Sequence, residues 1–174
     1  FDDPNIIAGQ GTVGLELVDQ LGVRKPGLVL APIGGGGLVS GVAVALKGLH
    51  PTARVVGVEP EGAASMLRSR EHGEPVTLES VSTVADGLRP VRPGQLTFAH
   101  CQALVDEVVT VDDDGIREAV RWLFGLGLVV EPSGAVTVAA LLQGAVKPAD
   151  RGETVAILSG GNIEPSLLAE WLQE

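Results

Sequence analysis

Cysteine, tyrosine and aromatic residues in general are scarce in this chain. It has one cysteine, no tyrosine, two tryptophans and three phenylalanines. A single thiol, Cys101, cannot form an internal disulfide, and its apolar surroundings predict a buried structural residue. His50, His72 and His100 are too scattered for a zinc site. Because nothing in this pattern requires an oxidising compartment, we expect a cytoplasmic protein.

Basic residues are also few, which bears on possible partners. The 174 residues carry 12 Lys and Arg against 22 Asp and Glu, a net charge of -10. Binding to nucleic acid or to an anionic membrane needs clustered positive charge, so we expect neither. The uncharged run from Pro26 to Leu46 is long enough for a membrane helix. Its proline and glycines would leave backbone groups unsatisfied in lipid, which argues against that interpretation.

The hydrophobic pattern alternates between strands and helices. With 45% hydrophobic residues, the chain can bury a substantial core, and we expect residues 1–174 to form a single α/β domain. Apolar, β-branched runs predict buried strands at 28–31, 54–58, 108–111 and 154–158. Helical spacing predicts helices at 38–49, 63–72, 96–105, 116–126 and 133–144. Buried strands joined through helices predict a doubly wound, mostly parallel sheet.

Four consecutive glycines, Gly34 to Gly37, follow the first predicted strand and precede a predicted helix. Glycine has no side chain to block an approaching ligand, and a helix start offers unpaired N–H groups and a partial positive charge. The pattern therefore favours a phosphate-binding loop. The alternative is a turn that only packs a helix against a strand, for which one glycine would suffice.

A second glycine-rich turn, Ser159-Gly160-Gly161-Asn162, follows the last predicted strand. In parallel sheets, ligands bind beyond the carboxyl ends of the strands, so both turns are expected on one edge and around one cofactor. The longest irregular segment, residues 74–94, is expected to be functional. Asp112 to Asp114 are interpreted as the start of a helix and not as a metal site.

Five motifs in a fixed order make the sequence recognisable. They are the glycine run, Val58-Glu59-Pro60, Ala85-Asp86-Gly87, Val130-Glu131-Pro132 and Leu158-Ser159-Gly160-Gly161-Asn162. Together with the opening Phe1-Asp2-Asp3-Pro4 and Ala8-Gly9-Gln10-Gly11-Thr12, the chain resembles the threonine/serine dehydratase family, which includes serine racemase. The resemblance covers essentially all of the sequence, and it matches the carboxyl-terminal part of the large domain of that family.

The resemblance implies pyridoxal 5'-phosphate as the cofactor. Its phosphate would lie on the amides of Gly34, Gly35, Gly36, Gly37 and Leu38. The hydroxyl of Ser159 would face the pyridine nitrogen, with Gly160 and Asn162 in the same turn, and Gly87 and Glu131 would lie near the ring. Alternatives remain for three of them: Ser159 could cap a helix, Glu131 could serve a helix dipole, and Asn162 could orient its loop.

The resemblance also bears on a metal site. In metal-dependent relatives, a glutamate at the position of Glu59, the carbonyl at Ala63 and an aspartate hold a divalent cation. Ser65 stands at the aspartate position here. Since losing a carboxylate weakens a site for Mg²⁺ or Ca²⁺, we expect no metal, although Glu61 could substitute.

The family's catalytic lysine, which lies in a Ser-x-Lys motif, has no counterpart in this sequence. The only lysines are Lys25, Lys47 and Lys147. Lys25 and Lys147 each precede a proline, and Lys47 lies about 13 Å along its helix from the phosphate end. We therefore assign no catalytic residue. Because the chain begins with Phe1 and not with methionine, we expect an upstream segment to supply the lysine, in cis or as a separate chain.

These observations predict dehydration and deamination of L-threonine or L-serine to a 2-oxo acid and ammonia, with the present chain inactive alone. Relatives are commonly oligomers, so a homo-oligomer is expected. Serine racemisation is the nearest alternative. A nicotinamide dinucleotide-binding module is another, with Glu59 as the acidic residue, but the G-x-G-x-x-G pattern ends on Val39 or Ser40 instead of glycine. A third is a non-catalytic binding partner that has lost its lysine.

Overall fold

Four parallel strands form the central sheet of the computed structural model, which describes residues 1–173. The strands are β1 (Pro26–Pro32), β2 (Arg54–Pro60), β3 (Glu107–Val111) and β4 (Glu153–Ala156), in the order β3-β2-β1-β4. In the register, Leu30 of β1 lies between Val56 of β2 and Ala156 of β4. The predicted fold class, an α/β protein with a parallel sheet, is confirmed.

Helices cover both faces of this sheet. They are α1 (Pro4–Leu21), α2 (Gly37–Leu49), α3 (Ser65–His72), α4 (Gln95–Leu104), α5 (Asp113–Gly125), α6 (Pro132–Leu142) and α7 (Pro165–Trp171). Helices α1 to α4 pack on one face around a core that includes Val42, Met66 and Phe98. Helices α5 to α7 pack on the other face, around a core that includes Ile116 and Val136. Such coverage explains why the strands are apolar on both sides.

The four predicted strands and five predicted helices are present, with ends shifted by a few residues; the fourth strand ends at Ala156 instead of Leu158. The prediction missed α1 and α7. Helix α1 could have been found from its start, because the Asp3 side chain caps it and Pro4 occupies its first turn. Its glycines hide the helical pattern, yet they serve packing: a Cβ on Gly41 of α2 would lie 2.5 Å from the backbone nitrogen of Gly11.

Two local predictions also hold. Cys101 is fully buried, and the Asp112 side chain accepts a hydrogen bond from the Gly115 amide at the start of α5. Within residues 1–173, no helix has the length and apolar character needed to cross a bilayer.

The loops after β1 and β4 leave the sheet at the same edge, formed by the carboxyl ends of the strands, because the two strands are adjacent and parallel. This edge carries the candidate site.

Candidate cofactor site

The glycine loop connects the end of β1 at Pro32 to the start of α2 at Gly37. Gly36 is the residue before the helix and has a left-handed φ of 95°, a conformation that favours glycine. Ile33 anchors the loop to the sheet by donating its amide to the carbonyl of Val58 at 2.8 Å. The 13-residue helix α2 therefore presents its first, unpaired amides at the carboxyl edge of the sheet, where an anion can bind.

Both glycine-rich turns line one cavity at this edge, with a volume of about 300 Å³. The sequence-predicted residues that line it are Gly34, Gly35, Gly36, Gly37, Leu38, Gly87 and Ser159. The Ser159 turn reaches the cavity because the chain continues past β4, where the Ile157 amide donates to the Leu30 carbonyl at 3.0 Å. The prediction that both turns lie on one sheet edge is confirmed.

Glu131, Gly160 and Asn162 do not belong to the cavity lining. Glu131 precedes α6, and its amide donates to the Gly160 carbonyl at 3.0 Å. Its carboxylate Oε2 accepts the Asn162 amide at 3.0 Å, and a Cβ on Gly160 would lie only 2.6 Å from Oε1. Glu131 therefore holds the Ser159 turn through one backbone and one side-chain hydrogen bond and does not itself line the cavity.

Gly87 is held by Ser133, a residue that the sequence did not single out and that lies near Glu131 at the start of α6. The Gly87 amide donates to Ser133 Oγ at 2.8 Å. Thr83 and Val84, which lie upstream of Gly87 in the same irregular segment, are held by α5. Asp113 of α5 accepts hydrogen bonds from Thr83 Oγ1 at 2.7 Å and from the Val84 amide at 3.2 Å. The only feature of the sequence that could have indicated Ser133 is its position two residues after Glu131, at the start of a predicted helix.

Phe1 is a second residue that sequence reasoning missed at the cavity. Its ring lies against the glycine loop so closely that a Cβ on Gly35 would overlap the ring. Ile6, Gln10, Pro32, Leu88 and Pro90 complete the lining. No pattern in the sequence indicates this contact, since it joins residues far apart along the chain.

The lining fits a small molecule with an anionic end and a polar ring atom. None of the side chains that line the cavity is charged, so backbone amides and the start of α2 would be the main groups that hold an anion there. The side chains at Gly35 and Gly36 could not be larger, because a Cβ at Gly36 would lie 2.9 Å from both Met66 Cε and Thr97 Cβ. At the other end, Ser159 is exposed and offers a neutral hydroxyl. These residues fit the phosphate and the pyridine nitrogen of pyridoxal phosphate.

All three lysines lie towards the opposite edge of the sheet. Lys47, near the end of α2, donates to Asp106 Oδ2 at 2.7 Å and to the Ala53 carbonyl at 2.8 Å. Lys25 directly precedes β1, and Lys147 lies in the segment that leads into β4. Amino ends of parallel strands share one edge, so these side chains lie away from the glycine loop.

The residues at which the family resemblance implies a metal site in metal-dependent relatives are Glu59, Ala63 and Ser65. Glu59 of β2 is fully buried, and its Oε1 and Oε2 accept the amides of Met66 and Leu67, each at 2.8 Å. Ser65 Oγ is buried with no hydrogen-bond partner among the described residues, and Glu61 is exposed. A single buried carboxylate, with each oxygen already accepting an amide of α3, is a poorer donor set for a divalent cation than two carboxylates would be. The same contacts occupy the carboxylate that a dinucleotide ribose would need.

Glu59 makes stability depend on pH. Burial raises its pKa from 4.5 to about 7, outweighing the hydrogen bonds from Met66 and Leu67 that lower it. Since the folded state holds the proton more tightly, this group stabilises the fold fully below its unfolded pKa and loses that contribution as pH rises to about 7. The difference corresponds to about 3 kcal/mol.

We expect Glu59→Gln to remove this pH dependence. Urea unfolding at about pH 5 and about pH 8 should show a smaller loss of unfolding free energy in the variant than in the unaltered protein. A matched variant at an exposed acid, Glu61→Gln, should behave as the unaltered protein does. Equal pH dependence of the Glu59→Gln variant and the unaltered protein would contradict the assignment.

A parallel sheet with a glycine loop and a helix start at the carboxyl ends of its strands is typical of α/β proteins that bind a phosphorylated cofactor. The family model described as "Pyridoxal-phosphate dependent enzyme" matches residues 1–160. The chain therefore belongs to the family of pyridoxal-phosphate dependent enzymes. This confirms the predicted family and the predicted cofactor.

Within this family, the chain is similar to threonine dehydratases and to serine racemases. The chain is 44% identical over 172 residues to the catabolic L-threonine dehydratase of Escherichia coli, which covers 98% of this chain and 52% of that protein. The processed threonine deaminase isoform 2 of Solanum lycopersicum superposes with a TM-score of 0.90 at 41% identity, over 99% of this chain and 50% of its own. Maize serine racemase superposes with a TM-score of 0.86 at 40% identity, over 96% and 51%. The chain thus spans about half the length of these relatives.

Proposed function

We propose that this chain is the phosphate- and pyridine-binding portion of a threonine/serine ammonia-lyase. The complete enzyme removes the α-proton and the β-hydroxyl of L-threonine or L-serine and releases a 2-oxo acid and ammonia. The observation that carries the proposal is the meeting of the two glycine-rich turns at one cavity. The 44% identity to a catabolic threonine dehydratase supports the choice of substrate.

Each end of the cavity has its own task in this proposal. The amides of Gly34 to Leu38 and the start of α2 bind the phosphate, and the Ser159 hydroxyl hydrogen-bonds the pyridine nitrogen. Glu131 hydrogen-bonds the Ser159 turn and Ser133 hydrogen-bonds Gly87, and these contacts would keep both segments in place for the ring. Pyridoxal phosphate supplies an electron sink for the negative charge that develops when the α-proton leaves. A neutral hydroxyl stabilises a protonated ring less than a carboxylate would, which suits β-elimination.

The proton transfer itself needs a base that this chain does not place at the cavity. Lys25, Lys47 and Lys147 lie towards the other end of the strands, and no side chain in the cavity lining is an acid or a base. Following the family resemblance, we propose that a segment outside the present chain, in the same polypeptide or a separate one, supplies the catalytic lysine and the contacts to the substrate carboxylate. The relatives' twofold greater length is consistent with this division.

Serine racemisation is the second candidate, because maize serine racemase is 40% identical to this chain. Both reactions begin by removing the α-proton and differ in whether the β-hydroxyl leaves or the proton returns to the other face. We further propose a cytoplasmic homo-oligomer: the single buried cysteine is in keeping with the cytoplasm, and the homo-oligomer follows from the family resemblance alone.

Comparing the activity of the present chain alone with that of the full-length protein tests the proposal. We expect the chain alone to release no 2-oxo acid from L-threonine or L-serine, and the full-length protein to release it when pyridoxal phosphate is present. Chiral analysis of the serine reaction separates lyase from racemase, since only a racemase accumulates D-serine. Robust turnover by the chain alone would contradict the lysine argument.

A titration with two cofactors tests the binding role separately. The full-length protein should bind pyridoxal phosphate and should not bind nicotinamide dinucleotides. Binding of the dinucleotide in preference to pyridoxal phosphate would overturn the proposed cofactor role of both turns.

A further inference from the structure

Thr97 of α4 makes a buried hydrogen bond to the glycine loop. Its Oγ1 donates to the carbonyl of Gly35 at 2.6 Å, and the Gly94 amide donates to the same carbonyl at 3.5 Å. Thr97 is fully buried and does not line the cavity. A threonine hydroxyl has one proton to give, and the contact to Gly35 is much shorter than the 3.3 Å to the Gly94 carbonyl. The hydroxyl therefore holds the loop from its inner side.

The Gly35 carbonyl and the Gly36 amide belong to one peptide unit. In a planar trans peptide, the C=O and the N–H point in opposite directions. With the carbonyl fixed on the side of buried Thr97, the Gly36 N–H is directed to the other side, where Gly36 lines the cavity. Thr97 thereby decides which group of this peptide an incoming anion meets.

The peptide joins two glycines, whose own conformational preferences do not fix its orientation. Gly36 has a φ of 95°, and glycine moves readily between positive and negative φ. If the peptide turned over, its carbonyl oxygen would face the phosphate in place of the N–H and would repel it. A hydrogen bond from outside the loop is thus required to keep the binding orientation.

Asp2 holds Thr97 in turn. Its carboxylate accepts the amides of Gln95, Leu96 and Thr97, at 2.9, 2.8 and 3.1 Å, where α4 begins. Three bonds to one carboxylate fix the first turn of α4 and with it the backbone of Thr97. The Thr97 carbonyl also accepts Ser40 Oγ of α2 at 3.4 Å, which ties the same residue to the helix that follows the loop.

We propose that Thr97 is a positioning residue for the cofactor phosphate. It acts through the Gly35–Gly36 peptide and touches neither cofactor nor substrate. The inference rests on the proposed function, because it assumes that the anion in the cavity is the phosphate of pyridoxal phosphate. It goes beyond that function by assigning the orientation of the phosphate loop to a side chain on another helix.

Comparing two cofactor forms tests the proposal in the full-length protein. Thr97→Val keeps the shape of the side chain and removes the hydroxyl. We expect its dissociation constant for pyridoxal phosphate to rise about tenfold, with that for pyridoxal, which has no phosphate, unchanged. Thr97→Ser restores the donor and should restore affinity for pyridoxal phosphate.

Thr137→Val is the matched control. Thr137 is equally buried, and its hydroxyl also donates to a backbone carbonyl, that of Ile157, at 3.0 Å. This variant loses a comparable hydrogen bond away from the phosphate loop, so the ratio of the two dissociation constants should stay at the unaltered value. Equal weakening of both cofactor forms by Thr97→Val would show a merely structural role and overturn the proposal.

A crystal structure of the Thr97→Val protein distinguishes a role of Thr97 in orienting the Gly35–Gly36 peptide from a merely structural role. A turned or disordered Gly35–Gly36 peptide supports the role of Thr97, and an unchanged peptide overturns it, whatever the cofactor measurements give. If the unaltered protein binds neither cofactor form, the proposed function fails while this structural result still decides the orientation. Thr97→Ala replaces the valine variant in every measurement if the latter does not fold.

Discussion

Replacing Gly36 by alanine is expected to reduce pyridoxal phosphate binding in the full-length protein on the order of 100-fold. An L-residue at a φ of 95° is strained by about 1–2 kcal/mol. The new Cβ would also lie 2.9 Å from Met66 Cε and Thr97 Cβ, both fully buried. The loop would have to shift to relieve these contacts, and the amides around the phosphate would move with it. Titration followed by the absorbance of the bound cofactor measures the loss.

Gly48→Ala is the control for this experiment. Gly48 lies in the same helix-forming segment, is exposed, and has nothing within 4 Å of an added Cβ. Alanine in an open helical position stabilises by about 0.5–1 kcal/mol, so this variant should bind the cofactor normally and unfold at a slightly higher temperature. Unchanged cofactor affinity in Gly36→Ala would show that the loop does not hold the phosphate.

Replacing Glu131 by alanine is expected to weaken the ring end of the site. The change removes the acceptor of the Asn162 amide, a hydrogen bond to a charged group worth about 1.5–3 kcal/mol. The Ser159 turn then keeps only the backbone hydrogen bond from the amide of residue 131 to the Gly160 carbonyl and is held less firmly. We expect the dissociation constants for pyridoxal phosphate and for pyridoxal to rise together, by about tenfold or more. This common loss contrasts with the phosphate-specific effect expected at Thr97.

Glu131→Gln is the conservative variant at this position. Its amide oxygen can still accept from the Asn162 backbone, while the charge is lost, so affinity should lie between those of the alanine variant and the unaltered protein. Glutamate at the start of α6 could instead serve only the helix dipole. In that case both variants would lower the thermal stability and leave the affinity for both cofactor forms unchanged.

Much of the site could be predicted because its signals are local. The glycine run reveals itself by residue type, and its place between β1 and α2 follows from a buried strand and a helical pattern on either side. Ser159 follows the last strand in the same way. Parallel strands then bring both turns to one edge, so the topology implied by buried strands was enough to unite them.

The residues that support the site could not be predicted in this way. Thr97 and Gly35 are 62 positions apart, Gly87 and Ser133 are 46, and Asp2 and Gln95 are 93. No periodic pattern links such pairs, because a single threonine, serine or aspartate looks the same whether it faces solvent or holds a distant backbone group. Helix α1 was missed for a related reason, since its glycines serve a contact with α2 that only the packed structure contains.

By itself, the sequence determined the four strands and helices α2 to α6 in their order, the two glycine-rich turns and membership of the pyridoxal-phosphate dependent family. These follow from residue type and short-range spacing, which act before the chain is packed. Only the tertiary structure decided that Glu59 caps α3, that Glu131 accepts a hydrogen bond from the Ser159 turn, and that Thr97 donates to the Gly35 carbonyl. Buried polar groups must find partners, and which partner each one finds depends on how the helices pack against the sheet.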